Sequence, residues 1–105
     1  MFIQVQITYP NVKEAQNAAK TLVDRRLVAC AQIIPQIESR YVWQGKTNVD
    51  SEALLLCKTR STLFERLAEV VASEHSYECP QIVGVPLEFI ASSYRDWLDE
   101  QIVEN

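Results

Sequence analysis

The chain has 105 residues, with 10 Lys+Arg against 14 Asp+Glu for a net charge of -4, and 48% of its residues are hydrophobic. One globular domain spanning residues 1–105 is expected; the acidic balance argues against a nucleic-acid partner, and no apolar run approaches the ~18 residues of a membrane span. Two glycines, one histidine and three cysteines without a CxxC pair leave no room for a Gly-rich phosphate loop, an HExxH zinc site or a paired-cysteine motif.

In Phe2–Tyr9, Ile3, Val5 and Ile7 alternate with Phe2, Gln4 and Gln6, the period of a strand, and Pro10 ends it. No basic region precedes these apolar residues, so a signal peptide is not expected, and the compartment is read as cytoplasmic with reduced thiols. Asn11 is the expected cap of a helix, with Glu14 placed to reach back to the cap's own N–H. Ala15, Ala18, Ala19, Leu22 and Val23 form its apolar stripe, and Arg25 and Arg26 suit its C-terminal end.

A long strand is predicted over about 28–44, interrupted at Pro35, with Gly45–Asn48 as turn and 49–59 as the return strand. The run Glu52–Lys58 is nearly continuous and apolar, which predicts burial on both faces. A second helix covers 61–74, capped by Ser61 or Thr62, followed by a loop at 75–80 and a short strand at 81–86. A last helix runs from Ser92 or Ser93 to about Val103 and presents Tyr94, Trp97, Leu98 and Ile102 on one side. The order is βαββαβ plus a C-terminal helix, an α+β, ferredoxin-like arrangement with an extended β-hairpin.

The strand at 28–44 is about three times the usual five or six residues. Its far part carries Tyr41, Val42 and Trp43, large apolar groups most simply buried against another subunit, so Tyr41 and Trp43 are the expected interface anchors.

Three sets of residues carry chemistry. His75, Glu78 and Cys79 bring nitrogen, oxygen and sulfur donors into one loop, the candidate site for a divalent metal, although three donors are fewer than the four of a structural zinc site; the alternative is a loop histidine hydrogen-bonded to backbone or solvated. Glu52 and Lys58 share a face of the return strand by its period of two; if the loop at 75–80 folds over that strand's end, they and Tyr77 and Glu78 line a polar cleft for a small anion or a metal, or equally form a salt-bridge network that locks subunits. Cys30 and Cys57, flanked by apolar residues, read as small buried hydrophobes rather than catalytic thiols. A phosphate-handling hydrolase on this fold needs converging backbone N–H donors after the first strand, where Pro10 removes one. The chain is therefore not expected to be an enzyme.

Taken together, Thr8-x-Pro10, Leu27–Ala31 with Pro35 downstream, Ser39-x-Tyr41-x-Trp43-x-Gly45-Lys46, Glu52 before Lys58-Thr59, and His75-x-Tyr77-Glu78-x-Pro80 resemble the CutA-like divalent-cation tolerance family, with Tyr94 and Trp97 also fitting. The resemblance implies a cytoplasmic, non-enzymatic homotrimer with a role in metal-ion response. No obligatory cofactor is implied, but weak binding of copper or another divalent cation is. An alternative is a PII-like module that binds a small effector in the cleft between subunits. Carried over by position, the copper ligands of a bacterial form of the family fall on Ile7, Glu74 and His75, of which only the histidine is kept.

Overall fold

β1 (Phe2–Tyr9) turns Ile3, Val5, Ile7 and Tyr9 into the core, as its alternation predicts, in a computed structural model that describes residues 1–103. With β2 (Cys30–Trp43), β3 (Lys46–Arg60) and β4 (Ile82–Pro86) it forms a four-stranded sheet of order β2-β3-β1-β4, with every neighbouring pair antiparallel. Ala53, Leu55 and Cys57 of β3 (Lys46–Arg60) stand opposite Tyr9, Ile7 and Val5 and are buried with them.

Two helices cover this face. α1 (Val12–Asp24) buries Ala15 and Leu22, and α2 (Phe64–Glu74) buries Leu67 and Val71. The Asn11 side chain accepts the Glu14 N–H at 2.9 Å, the expected cap. Glu14 does not close the reciprocal bond; its carboxylate goes to Ser76 instead. At the other end the Leu27 N–H reaches the Leu22 carbonyl and the Arg26 N–H that of Val23, with Arg26 at φ 56. This is a Schellman ending with arginine in the left-handed position that glycine usually takes. α2 follows a 3-10 turn, Ser61–Leu63, rather than starting at a Ser61 or Thr62 cap.

β2 (Cys30–Trp43) and β3 form the long hairpin. Pro35 does not break β2. Between the pairs Ile34↔Leu54 and Ile37↔Glu52, Pro35 and Gln36 face Ala53 alone, a bulge on an edge strand where the missing N–H is tolerated. The turn is shorter than expected. Gln44 and Gly45, at φ 51 and φ 78, make a two-residue connection whose backbone matches the strand twist. Lys46, Thr47 and Asn48 are therefore strand residues paired with Trp43, Val42 and Tyr41.

Burial on both faces of 52–58 is corrected by the layering. The odd-numbered positions of that run are buried, whereas Leu54, Leu56 and Lys58 are half-buried because α1 and α2 lie on the other side. β4 (Ile82–Pro86) pairs with β1 at the second edge. α3 (Ser92–Gln101) buries Leu98 against Ala29 and Leu63, closing the end of the sheet where β2 starts and β3 finishes. Arg60 fastens it there, with Nε and Nη2 donating to Asp99 Oδ1 at 3.2 and 2.9 Å and Nη1 donating to the Val103 carbonyl at 2.9 Å.

β1 accompanies β3 only as far as Tyr9↔Ala53. From Glu52 to Lys46, β3 has β2 as its one partner in the sheet, so the hairpin projects as a two-stranded arm and the chain extends 44 × 26 × 22 Å.

Candidate functional site

The loop after α2 folds back onto the end of β1 and the root of the arm. His75 Nε2 lies 2.7 Å from the Thr8 carbonyl, and the Tyr77 N–H donates to His75 Nδ1 at 3.0 Å. The imidazole stacks on Tyr9 with centroids 4.3 Å apart and is fully buried. Glu14 Oε2 accepts from both the main-chain N–H and the hydroxyl of Ser76, at 3.1 and 3.0 Å. Thus pinned, the loop brings the Tyr77 hydroxyl to Glu52, where it donates to Oε2 at 2.7 Å. Burial, then the Glu52 bond, holds the Tyr77 phenol well above its ordinary pKa; burial does the same to Tyr9.

A groove of about 610 Å³ opens here, walled by Tyr41, Trp43 and Glu52 of the hairpin and by Tyr77, Glu78 and Cys79 of the loop. Its size is that of a small-molecule site. The Tyr41 hydroxyl is bonded to Asp50, which raises its phenol's pKa, and Arg40 is paired with Glu38 at 3.0 Å.

The sequence-predicted residues separate clearly. Glu52 and Tyr77 meet, and Tyr41, Trp43, Glu78 and Cys79 share their groove. Lys58 does not join them: it stands roughly 20 Å along the same strand, at ~3.3 Å per residue, and donates to Gln32 Oε1 at 3.1 Å. His75 lies beneath the loop, with both ring nitrogens engaged. Cys57 is buried, and burial pushes its thiol up to about 12. Cys30 is only half-buried, its sulfur 3.6 Å from the Tyr94 hydroxyl, a contact that together with burial pushes that phenol up to about 12. Ser39 and Ser76 also line the groove. The period of two places Ser39 on the face of Tyr41; Ser76 carries no local signal.

These residues do not fit a resident metal centre within one chain. Among the described residues no three His, Cys, Asp or Glu side chains converge to hold an ion, and Ile7 is a buried aliphatic residue with no donor atom to offer one.

Among the described residues, four antiparallel strands, three α-helices and a groove at the root of a projecting hairpin define a small α+β protein with a ligand-sized cleft. The chain belongs to the CutA1 divalent ion tolerance protein family, whose model matches residues 3–101. It is 44% identical over 96 residues to the divalent-cation tolerance protein CutA of Thermus thermophilus, covering 91% of this chain and 93% of that one. The solved Thermus structure superposes with a TM-score of 0.94 at 42% identity, over 98% of this chain and all of that one. The CutA1 structure from Oryza sativa gives 0.95 at 36% identity, over 99% of this chain and 95% of that one. A chloroplastic CutA protein of Arabidopsis thaliana is 41% identical over 91% of this chain but 53% of its own length, so the chain spans about half of such longer relatives. Among the described residues no helix is long and apolar enough to cross a membrane.

Proposed function

We propose that the protein works as a non-enzymatic homotrimer in divalent-cation tolerance, with the groove at the arm's root as its ligand site. The observation that carries this reading is the arm. Tyr41, Val42, Trp43 and Val49 are 42, 68, 44 and 53% exposed on a ribbon that, among the described residues, has no third strand. A two-stranded ribbon is marginal in water by itself. Sister copies, each bearing the same arm and the same half-covered sheet face, supply a closed and symmetric cover. The strand order and helix placement agree with a ferredoxin-like unit, and three unpaired cysteines suit a reducing compartment such as the cytoplasm.

Glu78 and Cys79 offer one carboxylate and one thiol to the groove. Two donors per chain hold copper or another divalent cation weakly. A second reading is favoured by the groove's volume and its Tyr41 and Trp43 rings: a small effector bound between subunits, as in a PII-like module. Calorimetric titration with CuCl2 and ZnCl2 on the wild type, Glu78→Gln and Cys79→Ser separates the two. Weak heats lost in the variants support the cation site. Heats unchanged in both variants remove the loop donors, and no heat in the wild type leaves the effector reading.

A further inference from the structure

His75 is the residue on which the chemistry of the loop and its architecture disagree. A main-chain N–H can only donate, so the Tyr77 N–H at 3.0 Å leaves Nδ1 without a proton and occupies its lone pair. A carbonyl oxygen can only accept, so the Thr8 contact at 2.7 Å puts the ring proton on Nε2. The groups packed around the ring come from three elements. Tyr9 of β1 stacks on it at 14°, Tyr77 of the loop tilts against it at 39°, and Glu14 of α1 lies 3.7 Å from Nδ1. The Glu14 carboxylate is itself held by Ser76. The side chain has no exposed surface. A ring in this state has no free lone pair to give a metal.

We infer that His75 is a positioning residue: a neutral imidazole protonated on Nε2 that seats the Tyr77 hydroxyl on Glu52, and not a ligand to copper or another divalent cation. By bonding both to β1 behind it and to the N–H two residues ahead, the ring fixes the direction in which the chain leaves α2. The phenol then reaches the buried Glu52 carboxylate at the groove wall. Liganding a metal requires the ring to leave its pocket and release both bonds, which would also unseat the loop carrying Glu78 and Cys79. This inference concerns a single chain and stands or falls apart from the trimer.

Long-range 1H–15N spectra of the ring, recorded on the intact wild-type protein before and after one equivalent of ZnCl2 per chain, test it directly. The Nε2–H tautomer pattern, unmoved by zinc, is expected. A proton on Nδ1, or a zinc-dependent shift of either ring nitrogen, overturns the inference. Conservative replacement supplies a second readout. Asn in His75→Asn keeps an acceptor near the Nδ1 position and is expected to preserve slow exchange of the Tyr77 amide, whereas His75→Leu is expected to speed it by roughly tenfold, the loss of one hydrogen bond. Equal exchange in the two variants contradicts the positioning role.

Discussion

The Tyr77 hydroxyl donates to Glu52 Oε2 at 2.7 Å, and this bond joins the loop after α2 to the point where β3 leaves the sheet. Glu52 stands next to Ala53, the last β3 residue opposite β1, and is 8% exposed. A carboxylate so placed needs a donor, and the raised Tyr77 phenol stays protonated to supply one across the neutral range.

Removing that donor in Tyr77→Phe leaves a buried carboxylate short of a partner. The expected cost is about 1–3 kcal/mol, read from the urea midpoint. Glu52→Gln, which keeps a carbonyl acceptor for the phenol, should cost less. Equal stability of Tyr77→Phe and wild type contradicts the role given to this bond.

Alkaline stability follows from Cys57. Burial pushes its thiol up to about 12 in the folded protein. In the unfolded chain it titrates near the ordinary value of about 8.5. Between those limits the unfolded state releases a proton that the folded state keeps, so this contribution to stability is whole below about pH 8.5 and is lost as pH rises towards 12. Denaturant midpoints measured from pH 8 upward should fall. Thiol labelling at about pH 8 should modify exposed Cys79 and spare Cys57. Fast labelling of Cys57 in the folded protein contradicts its burial.

Arg60 anchors the C-terminal helix by directed hydrogen bonds more than by charge. Asp99 is 64% exposed at its side chain, where an ion pair contributes little, but the guanidinium also donates to the Asp99 and Val103 carbonyls at 2.8 and 2.9 Å. Lysine keeps the charge and loses the fork. Arg60→Lys is expected to cost about 1–2 kcal/mol and to speed amide exchange in α3 while leaving the β1–β3 ladder protected. Exchange unchanged in α3 contradicts the anchor.

β1 and α1 were legible because their periods, two and 3.6, sit beside a proline and an asparagine that mark the boundary. Composition misplaces the hairpin turn for a physical reason. Lys46, Thr47 and Asn48 are polar and turn-like in composition, yet the turn is set by positive φ at Gln44 and Gly45. Within its own helix Glu14 is placed to close a cap, but its carboxylate is taken by Ser76, 62 positions away. The period of two gave Lys58 and Glu52 a common face but says nothing of the distance between them, and Gln32 on the neighbouring strand takes the ammonium. The grouping of Glu52 with Tyr77 holds only if the loop at 75–80 folds over that end of the strand, as it does, with the phenol on the Glu52 carboxylate. The burial of His75 has no local signal: it depends on a carbonyl of β1 and a ring of the same strand.

Trp43 tests the arm at one side chain. It is 44% exposed in the single chain and lines the groove at the arm's root. An aromatic anchor truncated at an interface commonly costs ~2 kcal/mol or more. Trp43→Ala should therefore shift assembly towards smaller species while the fold of each chain, followed by far-UV circular dichroism, is retained. Assembly unaffected by the change removes Trp43 from the interface.

Sedimentation equilibrium of the unmodified protein across micromolar concentrations addresses the central claim most directly. A stable species of three times the 12.0 kDa protomer is expected. A species of 12.0 kDa persisting at those concentrations would contradict shelter of the arm by sister chains, and with it a ligand site shared between subunits.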